Sequence, residues 1–272
     1  MRLRARTAPA TTALAIMTLA FTALANAALP GVGPPGAEAA TATCFGRAAT
    51  IVGTGASETI RGTNGPDVIV GGGGSDTIDG RGGDDRICDP SGRNDVNSLH
   101  GGGGADHLRG AMELVGGPGD DVLIVAGTAG STIYVAGGRG DDRLRAPVLK
   151  AIFVPGPGRD LVVGNDAPND EVSYQTSGYA VRVDLARGVG LGQGRDSLKR
   201  VNWVTGSRYG DILLGDAADN GLSGLGGGDT LKGRRGDDFL TGGPGADLLD
   251  GGAGHDICDV GPLDQVQLCE PG

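Results

Sequence analysis

The sequence is short of large side chains: one Trp, four Tyr and four Phe in 272 residues, against 55 glycines. Glycine adds no side-chain packing and loses the most backbone entropy on folding, so an ordinary globular core is excluded. Positive charge is also scarce. The net charge is -10, which opposes binding to nucleic-acid phosphates and makes cations the natural counterparts. Past the first 27 residues, no apolar run approaches the roughly 20 residues that a membrane-spanning helix needs. The only histidines are His100, His107 and His255, and neither an H-E-x-x-H zinc motif nor a G-x-S-x-G nucleophile elbow occurs. These absences read as a chain that is not an enzyme, has no membrane span and takes no nucleic-acid partner.

The start, MRLRARTAPATTALAIMTLAFTALANA, joins Arg2, Arg4 and Arg6 to an apolar run and a small-residue exit at Ala25-Asn26-Ala27. This predicts a secretory signal peptide over residues 1–27, with cleavage as late as residue 39 as an alternative. Its removal takes away three arginines and no acidic residue, so the net charge falls from -10 to -13. Residues 28–43 read as a Pro/Gly/Ala linker. The expected product is secreted and extracellular.

What the chain does have is a period of nine. From Gly53 it divides into GTGASETIR, GTNGPDVIV, GGGGSDTID and GRGGDDRIC; from Gly206 it divides into GSRYGDILL, GDAADNGLS, GLGGGDTLK, GRRGDDFLT, GGPGADLLD and GGAGHDICD. Position six is acidic in most of them, and position eight is Ile or Leu in all but the last, where it is Cys258. Three residues suffice for a short strand whose middle side chain points inward, and the glycines permit the tight turn between strands. Two nonapeptides then make one coil. Coils stack about 4.8 Å apart, so carboxylates along one edge repel by about 3 kcal/mol at an effective dielectric of 20. Such a row needs a cation, and calcium accepts carboxylates and backbone carbonyls together.

The pattern G-G-x-G-x-D-x-U-x resembles the RTX, or haemolysin-type, calcium-binding nonapeptide. The resemblance implies an all-β fold, a right-handed parallel β-roll stabilised by calcium, in two arrays over residues 44–163 and 206–272 joined by a non-repeat β connector at 164–205. It implies several Ca2+ ions held by Asp67, Asp76, Asp85, Asp106, Asp121, Asp142, Asp160, Asp211, Asp229, Asp238, Asp247 and Asp256. In the family an ion lies between neighbouring coils, which favours the pairs Asp67 with Asp85, Asp211 with Asp229, Asp229 with Asp247 and Asp238 with Asp256. Glu58 is longer than the motif's Asp, and Asn97 and Asn220 lack the charge. One aliphatic side chain per nine residues does not offset the ordering of nine backbones, so folding is expected to depend on calcium.

The middle of the first array departs from the pattern. GTAGSTIYV and APVLKAIFV put Thr132 and Ala151 at position six and Tyr134 and Phe153 at position eight, leaving one edge without carboxylates. In the connector, Val181, Val183 and Leu185 alternate like a half-buried strand, and Trp203 reads as local core. Four cysteines in an exported chain favour disulfides in any of three connectivities. Cys44 with Cys88 and Cys258 with Cys269 are preferred, since each pair fastens one end of a solenoid that needs caps. Two RGD triplets, at Arg139 and Arg235, fall where an Arg precedes the repeat's Gly-Asp. Two other readings stay open: a calcium-stiffened adhesin or matrix protein, and a secreted glycan-acting enzyme of unrecognised type.

Overall fold

The computed structural model describes residues 42–89, 95–110, 112–127, 132–147, 150–165 and 170–271, which belong to the unit Ala40–Gly272. The expected leader and residues 28–41 of the linker lie outside the described residues.

Three-residue strands such as Val68–Val70, Thr77–Asp79 and Arg86–Cys88 alternate between two sheets, as the short x-U-x segments require. Each pairs in parallel with the strand one coil further on, for example Ile69 with Ile87 and Ile78 with Leu99. The result is an all-β parallel β-roll with one sheet of 12 strands and one of 14. Its core is a double row of position-eight side chains. Ile69, Ile78, Ile87, Leu99, Leu108, Leu144, Leu213, Leu231, Leu240 and Leu249 are all fully buried between the sheets. Among the described residues the one helical element is a 3-10 turn at Leu185–Arg187.

The connector stays inside the β-structure. Glu171–Ser173 continues the smaller sheet between Ala151–Val154 and Trp203–Thr205. In the larger sheet Arg195–Lys199 pairs in parallel with Leu161–Val163, then Val189–Leu191 and Arg182–Asp184 follow as an antiparallel meander, and the latter pairs in parallel with Ile212–Leu214. The two extra strands of the larger sheet are this meander. Val181, Val183 and Leu185 are buried in it, as their alternation predicts.

Two strands differ from the sequence reading. Val135, not Tyr134, is in register with Leu114 and Phe153, and Ile133 takes the place expected for Thr132. A slip of one residue exchanges the faces of a strand, so Tyr134 points outward. Trp203 lies on the outer face of the smaller sheet, 37% exposed, stacked on Phe239 at 6.5 Å and close over Gly221.

Both expected disulfides are present. Cys44–Cys88 joins an N-terminal hairpin, Thr43–Cys44 with Arg47–Ala48, to the larger sheet, and Cys258–Cys269 closes the C-terminal coil.

Candidate metal centre

Each coil turns once on either rim of the roll. On the rim where the chain passes from the smaller to the larger sheet, Asp67, Asp85, Asp106, Asp121, Asp142, Asp160 and Asp196 form one row. The backbone N–H of each of the first six donates to Oδ1 of the next, over 2.8 to 3.2 Å. Beyond the meander the row restarts, with Val181 N–H donating to Asp211, then Asp211 to Asp229, Asp229 to Asp247 and Asp247 to Asp264. The opposite rim has shorter runs, Glu58 to Asp76 to Asn97 and Asn220 to Asp238 to Asp256. Between them Met112, Ile133 and Ala151 occupy the same register, so that rim lacks carboxylates in mid-array. The four favoured pairs are all brought together in these rows.

The second oxygen of each acid divides the turns into two kinds. In one kind it is fully buried with no hydrogen-bond partner: Oδ2 of Asp76, Asp85, Asp106, Asp121, Asp142, Asp160, Asp229, Asp238, Asp247 and Asp256. Every one of these turns has position two at positive φ, usually as Gly but also as Arg81 at 76°, Leu225 at 74° and Arg234 at 84°. In the other kind position two is a short polar residue and its own N–H closes on the acid: Thr63 on Asp67 at 2.6 Å, Ser207 on Asp211, Asn165 on Asp170 and Thr54 on Glu58. The Thr or Ser hydroxyl also accepts the N–H of position four, as in Thr63 with Gly65 and Ser207 with Tyr209. This local turn holds the backbone in the closed form. Asp67 and Asp211 therefore share the rows with the other expected ligands, but their second oxygens are already satisfied.

Burial without a donor destabilises the charged form. It pushes Asp85, Asp121 and Asp142 up to about 7 and Asp229 and Asp238 up to about 6, and the neighbouring aspartates add to the shift. Asp160 and Asp106 are raised for the same reason. The orphaned oxygens lie in slots that a side chain would fill. A Cβ on Gly116 would press on Asp121 Oδ2 and lie 2.5 Å from the Gly137 carbonyl oxygen, and Gly80 stands likewise between Asp85 Oδ2 and the Gly101 carbonyl, also 2.5 Å away. Among the described residues no three acidic, His or Cys side chains surround one point. Each slot offers one carboxylate oxygen with backbone carbonyls, an all-oxygen set that fits a hard cation such as calcium and not a thiolate- or imidazole-seeking metal.

Aspartates at position five form a separate outer ladder that runs the opposite way. Asp141 N–H donates to Asp120 and Asp237 N–H to Asp219, while Asp141 and Asp237 accept from Arg159 and His255 one coil on. The Asp of each RGD triplet is thus held within a rim. His107 packs edge-on to Phe45, and His255 contacts Glu270 at 3.0 Å.

Sequence reasoning missed Asp170, Asp196 and Asp264, which extend the rows. The signal for Asp196 was present: LGQGRDSLK, residues 191–199, is the nonapeptide without its first glycine. Its Oδ2 accepts the Tyr174 hydroxyl at 2.8 Å, which closes the first row.

The RTX calcium-binding nonapeptide repeat model matches this chain in four copies, over residues 52–87, 91–111 and 223–258. Those segments carry RTX-type calcium-binding nonapeptide repeats. No curated protein matches the chain. The unmatched middle includes the stretch where one rim has Met112, Ile133 and Ala151 in place of acids.

Proposed function

We propose that this protein is a secreted calcium-binding RTX protein that folds as it binds, with Asp76, Asp85, Asp106, Asp121, Asp142, Asp160, Asp229, Asp238, Asp247 and Asp256 as the carboxylate ligands. The observation that carries this reading is the match between open turns and orphaned oxygens: one buried, partnerless Oδ2 in every turn whose second residue has positive φ. Bound calcium supplies the positive charge that these carboxylates lack. The protein's own part is to aim Oδ2 and the carbonyl of the next coil's leading residue into one slot, while Oδ1 ties the coils together. Asp67 and Asp211 serve as the coil-to-coil tie alone. The two disulfides support an extracellular setting.

Circular dichroism of residues 40–272, with disulfides formed, during a calcium titration with magnesium as control tests the proposal. A calcium-specific rise in β signal, weakened by Asp229→Ala with Asp238→Ala, is expected. A β spectrum indifferent to chelator would defeat it.

A second reading, a calcium-stiffened rod that grips an extracellular glycan, draws on the exposed Trp203–Phe239 stack. Trp203→Ala should abolish retention on immobilised polysaccharide if that stack is a platform.

A further inference from the structure

Among the described residues, the one acid with both carboxylate oxygens buried and partnerless lies outside the rim patterns. Asp89 stands where neighbouring coils on the same rim begin with glycine, namely Gly53, Gly71 and Gly110. It is 0% exposed, and neither Oδ1 nor Oδ2 has a hydrogen-bond partner. Its carboxylate lies against Gly71, where a Cβ would sit 2.8 Å from Oδ2 and 2.9 Å from Oδ1. In ordinary open turns that place belongs to the turn's own position-six acid, as with Gly80 and Asp85. The position-six acid of the turn that begins at Gly71 is Asp76, which is also fully buried with a partnerless Oδ2. The negative charges of Asp76 and Asp95 both act on Asp89.

A buried carboxylate without a donor is costly unless a positive charge or a proton joins it. We propose that Asp89 and Asp76 together hold a hard divalent cation, at a site that adds to Asp76 a carboxylate from outside the nonapeptide pattern, where the repeat count is interrupted after Cys88. Two carboxylates match one divalent charge, and three free oxygens, two of them on Asp89, suit an ion that tolerates bidentate and irregular ligation. The disulfide from Cys44 to Cys88 fixes the backbone beside Asp89, so the site belongs to the N-terminal cap. The site takes Asp76 from the rim reading and rests on that reading for this ligand, while Asp89's own surroundings carry the rest.

The test is a count of calcium ions per chain by equilibrium dialysis and elemental analysis of the oxidised full chain. Asp89→Asn keeps the shape and removes the charge; Asp89→Gly restores the residue that begins the neighbouring coils. Each variant should fold in calcium and bind one ion fewer than the unaltered protein. An unchanged count in either variant overturns the Asp89 site alone, and would mean that Asp89 is held as a neutral acid. An unaltered protein that binds no calcium overturns the rim reading as well.

Discussion

The backbone N–H of Asp121 donates to Oδ1 of Asp142 over 2.9 Å, while Oδ2 of the same Asp142 is buried without a partner. One oxygen thus ties two coils together and the other is left in need of positive charge. The two roles separate under Asp142→Asn, which keeps an acceptor for the Asp121 amide and removes the charge. The variant should melt at a higher temperature than the unaltered protein in chelator. In a calcium titration followed by circular dichroism its midpoint should rise about tenfold, the equivalent of about 1.4 kcal/mol.

In chelator, the pH dependence should be the reverse of acid denaturation. Asp85, Asp121 and Asp142 are raised to about 7 and Asp229 and Asp238 to about 6, from an ordinary value of 3.8. A group raised in the folded state binds its proton more tightly there than in the unfolded chain. Its contribution to stability is complete below the unfolded value and is lost as pH climbs through 6 to 7. The β signal in chelator should therefore fall between pH 4 and pH 8, and the fall should disappear in saturating calcium. A signal that grows with pH in chelator would contradict this account.

The closed turns predict where order survives without calcium. Thr54 with Glu58 and Thr63 with Asp67 begin the first array, and Ser207 with Asp211 and Asp216 with Asn220 begin the second. Hydrogen exchange in chelator should show slower amides in these two coils than over residues 101–160, where the described turns are open. Ser207→Ala removes a hydroxyl that bonds Asp211 and Tyr209, and should cost the second array about 1 kcal/mol.

Glycines should divide by what faces them. Gly116→Ala would drive a methyl group into Asp121 Oδ2 and the Gly137 carbonyl, an overpacking worth about 1–3 kcal/mol, and should block the local ion slot. Gly103→Ala meets nothing within 4 Å and serves as the tolerated control. Thermal melts of the two variants in calcium would compare them directly.

The disulfides should contribute unequally. Cys44–Cys88 closes a loop with a sequence separation of 44 and Cys258–Cys269 one of 11. Loop-closure entropy assigns them about 4 and about 3 kcal/mol. Denaturant unfolding of the paired Cys→Ser variants in calcium should rank them in that order.

The sequence by itself determined the coil. Nine-residue spacing sets which aliphatic side chains are buried and which acids meet one coil apart, because strand alternation and a constant coil length leave no other register for Ile69 over Ile87 or Asp211 beside Asp229. It also pointed to both disulfides. Tertiary structure decided the rest. Whether an acid keeps a free oxygen depends on the φ of a residue four places earlier; Thr63 signals its closed turn through its hydroxyl, but Arg81 and Leu225 take positive φ with no local chemistry to announce it. The burial of Asp89 against Gly71 joins residues 18 apart across two coils and breaks the repeat's own rule, so no pattern along the chain marks it. The meander at 182–199 rests on antiparallel pairings set by contact with the coils on either side, and it alone fixes where one row of aspartates ends and the next begins.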